Sequence, residues 1–346
     1  MEIFNFICYA HVMNKLVFLS IITFTAFLFV SCCEKKASTS LNAMDTFMTI
    51  QLYGKKPDTA LEKTTKLIYQ IERNISTTNE ASDVYRLNHG EKIPVSTDTL
   101  RLTKYGLDFA KKTGGIFNPA LYPITSAWGF TTGDYKVPSQ NQIDELLTLT
   151  DYSKIQIDGS YINLEHGMAL DFGAIGKGYT GDEVIRLLKS NGIRSALLDL
   201  GGNIQALGKK ADGTEWTIGI KSPWTGKAAA AIKIADKAVI TSGGYERFFT
   251  ADDGHNYIHI FDGKTGRPVD NGIAGVTIIT ESGLYADALS TTMFVMGLED
   301  ASSYWKIHSD FEMIIFTENQ DLYYTEGLEG KLDLRAEFAS VNVIHK

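Results

Sequence analysis

Between Asp171 and Tyr179 the chain reads Asp-Phe-Gly-Ala-Ile-Gly-Lys-Gly-Tyr, a carboxylate and a lysine set among glycines in one short bend. Those residue types suit a pyrophosphate and its metal, because glycine reaches backbone angles closed to other residues and lets main-chain N–H groups approach an anion. Asp287 and Thr291 stand four apart in Tyr285-Ala-Asp-Ala-Leu-Ser-Thr-Thr-Met-Phe294, a spacing that puts both on one helix face. A carboxylate beside a hydroxyl is costly to bury among apolar neighbours. A hard, oxygen-seeking divalent cation such as magnesium would offset that cost; the alternative is that Asp287 caps the helix and Thr291 bonds back to a carbonyl. His259, in Tyr257-Ile-His-Ile-Phe261 and followed by Asp262, is placed to accept a proton near neutral pH, or serves only structure. Thr241-Ser-Gly-Gly-Tyr-Glu-Arg247 is either a loop that wraps an adenosine or ribityl group or a plain hairpin.

The glycine-rich bend admits several meanings. Gly176-Lys-Gly178-Tyr-Thr-Gly181 fits G-x-G-x-x-G, with Asp199 at the distance of a ribose-binding acid. A dinucleotide fold, however, needs a buried strand running straight into the glycines, and Asp171 to Ile175 intervenes. A Walker loop fails because Gly178, not Ser or Thr, follows Lys177. A kinase Asp-Phe-Gly fails because no His-Arg-Asp precedes it. An ordinary tight turn, capped by Asp171 with Lys177 in solvent, stays open.

Apolar spacing predicts a strand over Met44–Tyr53 and a helix over Asp58–Ile75. A second helix is expected over Thr99–Lys112, stopped by Gly114-Gly115. An irregular stretch from Phe117 to Phe130 precedes a helix over Ser139–Leu149 and a hairpin about Asp158-Gly159. A further helix is predicted over Gly178–Ser190, and a strand over Arg194–Leu200 ends at Gly201-Gly202. Strands over Trp216–Ile220, Ala230–Ile234, Tyr257–Phe261 and Ala274–Thr280, a buried helix over Tyr285–Met296, and strands near Met313 and Leu322 complete the chain. These elements alternate without a βαβ rhythm, which favours an α+β fold in one unit, residues 43–346.

A net charge of −8 over 346 residues argues against nucleic-acid binding. Lys15 precedes an apolar run, Leu16 to Val30, of about 15 residues, short of the ~20 a bilayer span needs. The run ends at Ser31-Cys32-Cys33, similar to a bacterial lipobox, so residues 1–32 are expected to be a lipoprotein signal peptide. Cys32 would be the lipidated residue, residues 33–42 a tether, and Met13 an alternative start. An uncleaved anchor helix is the competing possibility. The cysteines are Cys8, Cys32 and Cys33, so the mature domain offers no disulfide, thiol nucleophile or thiolate zinc site.

Taken together, Met44-Asp-Thr46, Ser76 through Ser82 to Leu87-Asn88, Gly114-Gly-Ile-Phe-Asn-Pro119, Trp128-Gly-Phe130, the bend with Asp182, Leu200-Gly-Gly-Asn203, Thr241-Ser-Gly, Tyr245-Glu-Arg247, His259-Ile with Asp262 and Thr265-Gly, and Ala286-Asp-Ala-Leu-Ser-Thr291 resemble the ApbE family of FAD:protein FMN transferases. The order and spacing of these pieces, from about Met44 to Gly297, carry the likeness. It implies a bilobed α+β protein with a T-fold-like core and FAD and magnesium in the cleft. The reaction would move FMN from FAD to a Thr or Ser hydroxyl of a target protein and release AMP. By the same resemblance, Asp171 and Lys177 contact FAD, and Met44 with Ile116, Phe117 and Asn118 forms the flavin-side wall. Magnesium would bind the Ala174 carbonyl, Asp287 and Thr291, and His259 would activate the acceptor hydroxyl.

Two departures stand out: Thr78 replaces a common Tyr expected to stack on the flavin, and Asn118 a frequent Asp. The first leaves room for FAD hydrolysis to FMN and AMP; a non-catalytic flavin-binding lipoprotein is the remaining alternative. The expected acceptors are subunits of membrane redox complexes carrying a Ser/Thr-Gly-Ala-Thr-like site. The expected location is the bacterial envelope, lipid-anchored and facing the periplasm.

Overall fold

The structure is a computed structural model that describes residues 35–252, 254–308 and 310–346. The expected signal peptide, Met13 and the lipidated Cys32 lie outside the described residues. Seven α-helices are labelled in chain order α1 (Pro57–Ile75), α2 (Asp83–Asn88), α3 (Thr97–Lys112), α4 (Tyr122–Ala127), α5 (Gln140–Leu147), α6 (Gly176–Ser190) and α7 (Gly283–Ile307). The strands of the two larger sheets are β1 (Lys35–Ala43), β2 (Thr46–Gly54), β3 (Ser195–Leu200), β4 (Asn203–Leu207), β5 (Trp216–Lys221), β6 (Ala228–Ile234), β7 (Ala238–Gly243), β8 (Ile273–Thr280), β9 (Glu312–Thr317), β10 (Asp321–Thr325), β11 (Leu332–Leu334) and β12 (Ser340–Ile344).

Nine strands form one sheet in the order β1-β2-β3-β4-β7-β8-β9-β10-β12, and β11-β6-β5 form a second. The mixture is α+β. Period-two patterning sets the faces: Met48, Ile50 and Leu52 of β2 are fully buried, whereas Phe47 is 60% exposed. Strand β2 pairs antiparallel with β3 from Met48↔Leu200 to Tyr53↔Ser195. Helices α1, α6 and α7 cover one face, where Ile68, Ile71, Val184, Leu289 and Met293 are buried. On the other face Ile279, Ile314 and Phe316 pack on Trp216, Ile218 and Ile232 of the smaller sheet. At about 25 cal/mol per Å² of apolar area, this burial on both faces is the main stabilising term.

Several boundaries differ from those the sequence suggests. Residues 33–42 are not a free tether throughout, since Lys35–Ala43 is the edge strand β1. Its inward residues Ala37, Thr39, Leu41 and Ala43 alternate correctly, but their small size and the intervening serines hide the pattern. Met44 is not in a strand. With Asp45 it makes the two-residue turn from β1 to β2, at φ of 51° and 56°, the left-handed pair that a tight hairpin requires.

The predicted strand Tyr257–Phe261 is broken: Asn256–Ile258 pairs with Phe248–Thr250, Phe261–Asp262 pairs with Arg267–Pro268, and His259-Ile260 lies in the gap. Helix α7 runs past Met296 but is interrupted at Gly297, whose φ of 80° and ψ of 174° are non-helical. Helices α2 and α4 and strands β4, β7, β11 and β12 are not anticipated from sequence, being too short for a period to register.

Candidate active site

The bend is a helix entrance. Asp171 donates its N–H to the Pro119 carbonyl at 2.8 Å, and Asp171 Oδ1 accepts from Gly173 N at 2.7 Å. The Phe172 carbonyl then accepts from both Ile175 N and Gly176 N, turning the chain into α6. No side chain of its own caps α6, because Ile175 occupies the N-cap. The cap comes from another helix: Asp287 Oδ2 of α7 accepts the Gly178 N–H at 2.8 Å.

That contact explains the glycines. A Cβ on Gly178 would overlap the Gly283 carbonyl oxygen and lie 2.7 Å from Asp287 Cβ. A Cβ on Gly181 or Gly283 would overlap the side chain of Gln205, whose Nε2 donates to Gly178 O at 3.0 Å. In this chain Gly178 of the G-x-G-x-x-G match serves close approach of α6 to α7, and Gly181 close approach of α6 to Gln205 on β4. Asp182 completes the junction by accepting from Ser282 Oγ, Gly283 N and Leu284 N at the start of α7.

Asp287 therefore does not cap its own helix, which Ser282 caps. It is 4% exposed. Burial raises its pKa, against the opposing influence of Lys177, the Gly178 N–H and the Asn203 amide. Thr291 Oγ1 faces Ser242 Oγ at 3.2 Å, whereas its neighbour Thr292 bonds back to the Ala288 carbonyl. Asp171 is likewise raised by burial and held down by the Gly173 N–H, Arg247 and Lys177.

His259 donates its Nδ1–H to the Arg247 carbonyl at 3.0 Å, since a carbonyl can only accept; the tautomer follows, and Nε2 keeps its lone pair. Burial, with Arg247 and Lys177 nearby, lowers its pKa to about 4. The ring is thus neutral at pH 7.

A cleft of about 410 Å³ gathers Met44, Ile116, Phe117, Asn118, Asp171, Ala174, Lys177, His259, Asp287 and Thr291 along its walls. Thr78 is the exception among the expected residues. It lines an adjoining chamber of about 270 Å³ with Glu72, Ser76 and Thr77, while Met44, Asp171 and Lys177 border both spaces. Met44, Ile116, Phe117 and Asn118, the expected flavin-side wall, thus share the larger cleft, and Thr78 stands apart from them. The Thr78 loop is tied to itself, with the Ser76 hydroxyl accepting from Thr78 N at 3.2 Å and Asn79 N at 3.0 Å. The Asn118 side chain is occupied too, donating to Thr150 O and accepting from Ala120 N, both at 2.8 Å.

Three cleft residues were not assigned roles from sequence. Arg247 borders both chambers and donates from Nη2 to Phe130 O at 2.7 Å; Ile260 sits beside His259; Asn203 is 2% exposed, with its amide acting on the Asp287 carboxylate. Tyr245-Glu-Arg247 and Leu200-Gly-Gly-Asn203 were visible as motifs, but nothing local shows that strands β3, β4 and β7 end at one opening.

The donor set fits a hard cation. Asp287, Thr291 and the Ala174 carbonyl offer oxygen to the same cleft, and a buried carboxylate whose pKa is raised is a group that a bound cation would stabilise. Among the described residues there is no group of three His, Cys, Asp or Glu that could hold a metal, and this set contains only one such residue.

The model of the ApbE family matches residues 44–315. The chain belongs to the ApbE family. A protein of Treponema pallidum named FAD:protein FMN transferase is 37% identical over 279 residues, covering 73% of this chain and 77% of that one. A Klebsiella pneumoniae protein of the same name is 31% identical over 265 residues, 74% of this chain and 82% of its own length. Among solved structures, the ApbE protein of Thermotoga maritima superposes with a TM-score of 0.80 at 30% identity, over 87% of this chain and all of that one. The apo form of the Pseudomonas stutzeri flavinyl transferase ApbE gives 0.77 at 27% identity, over 86% and 97%. The ApbE fold is thus the frame on which this chain's cleft is built.

Proposed function

We propose that this ApbE-family protein is a transferase that moves FMN from FAD to a Ser or Thr hydroxyl of an acceptor protein. The observation that carries the reading is a neutral histidine sharing one cleft with a lysine and an oxygen-donor pair. The acceptor oxygen attacks the FMN-side phosphorus, its O–H proton passes to His259 Nε2, and the bond to the bridging oxygen breaks to release AMP. Lys177 offsets phosphate charge. Asp287, Thr291 and the Ala174 carbonyl would hold magnesium, which when bound neutralises charge on the pyrophosphate and leaving group.

Hydrolysis is the second reading, favoured by Thr78: its loop brings hydroxyls rather than a ring to the adjoining chamber. Water would then take the acceptor's place. Incubating the protein with FAD, magnesium and a polypeptide carrying a Ser/Thr-Gly-Ala-Thr-like site, then weighing the products, separates the two. Acceptor mass gained by one FMN supports transfer; free FMN and AMP with an unchanged acceptor would reject it. A lipid on Cys32, an envelope location facing the periplasm, and membrane redox subunits as natural acceptors belong to the same proposal.

A further inference from the structure

The strands that end at the cleft begin or finish, at their other ends, in a concentration of positive charge. Met44, Asp45, Gly201, Asn203 and Ser242 put the β1–β2 turn, the β3–β4 turn and the end of β7 at the cleft. At the opposite ends lie Lys36 on β1, Lys55 and Lys56 after β2, Arg194 before β3, Lys209 after β4 and Lys237 before β7. The register brings them side by side: Tyr53 pairs with Ser195, Ala196 with Leu207, and Ala206 N donates to Lys237 O. All six side chains are exposed, and none is in an ion pair among the described residues. Lys36 lies over the Tyr53 ring at 5.8 Å.

This clustering runs against the chain's net charge of −8. The acidic residues within two positions of these six are Glu34, Asp58 and Asp236, and Asp236 Oδ1 is already engaged by Gly208 N at 2.9 Å. Adjacent strands sit about 4.8 Å apart, so five strand ends present the cations along roughly 20 Å. A row on that scale matches a charged surface better than a small anion.

We propose that this end of the sheet docks on anionic phospholipid headgroups. The proposal rests on the reading that Cys32 is lipidated: four residues from Cys32 to Lys36 reach at most about 14 Å, so the bilayer would be close to this end and to no other. The field of an anionic leaflet acts within a Debye length of ~8–10 Å, and each cation there strengthens attachment on the order of fivefold. The cleft, at the far ends of the same strands, stays open to solvent.

The test uses the full chain reconstituted in vesicles of phosphatidylcholine alone or with about 30% phosphatidylglycerol, followed by hydrogen–deuterium exchange. Amides of residues 55–56 and 209–213 should slow by about threefold or more on anionic vesicles only, and lose that protection near 0.5 M salt. The variant Lys36→Glu, Lys55→Glu, Lys56→Glu, Lys209→Glu should lose it. The variant Lys92→Glu, Lys104→Glu, Lys111→Glu, Lys112→Glu, of equal net charge, should keep it, with circular dichroism showing both variants folded. Equal protection on both vesicle types, or equal loss in both variants, overturns the proposal, as does protection by an acidic protein or nucleic acid but not by vesicles. The N-terminal mass is read separately: protection without lipid on Cys32 rejects lipidation alone, and lipid without protection rejects docking alone.

Discussion

His259 commits its Nδ1 proton to the Arg247 carbonyl, so only Nε2 can receive the proton of an acceptor hydroxyl. With a pKa near 4, that nitrogen is already free at pH 7. Turnover should therefore stay level as pH falls from 7 and decline only as the ring protonates near that value. A pH–rate profile breaking near 6.5, the ordinary histidine value, would contradict the assignment. His259→Gln should lower transfer by about 10²–10⁴-fold, while fluorescence titration shows FAD still bound. Stability carries the same sign: the unfolded ring takes up its proton first, so this group costs stability as pH drops from 6.5 toward 4. Asp287 works the other way. Its raised pKa means that ionisation in the fold is unfavourable, and a cation that favours the carboxylate should raise Tm more at pH 7 than at pH 5. Asp287→Ala should abolish metal-dependent turnover, and equal wild-type activity with and without EDTA would refute the metal assignment.

Helices α6 and α7 meet through glycine, and the meeting brings Asp287 against the start of α6. Gly178→Ala should destabilise the fold by about 1–3 kcal/mol in urea unfolding, because its Cβ has no room beside Gly283 and Asp287. Gly219→Ala, whose Cβ would sit at an ordinary 3.5 Å from Ala228 Cβ, should change little. Near-equal midpoints for the two variants would remove the close-packing argument. The glycines also show what could be read from sequence. Helices α1, α3 and α6 were legible because their apolar spacing is long and regular. The purpose of Gly178 and Gly181 was not, since it depends on Gln205 and Gly283, which sit outside the motif. His259 was found as a residue, yet the break in its strand is set by two hairpins that pair elsewhere. That Thr78 borders a chamber separate from Ile116 is not legible in the sequence, because spacing along the chain cannot divide a cleft into chambers.

At the scale of the whole molecule, β1 makes the domain begin earlier than its first motif. A chain started at Met44 would lose the burial of Ala37, Leu41 and Ala43 and bare the edge of β2. It should melt lower than one started at Cys33 and self-associate more readily, which calorimetry and light scattering would register; equal behaviour would return residues 35–43 to the status of a linker. Strand β2, nine residues long, joins the lysine-bearing end of the sheet to the cleft, a distance of roughly 27 Å at the usual rise per residue. If that end rests on a bilayer, the strand acts as a ruler. Acceptor hydroxyls held at about that height would meet the cleft, whereas a hydroxyl flush with the headgroups would be out of reach however well its local sequence matched.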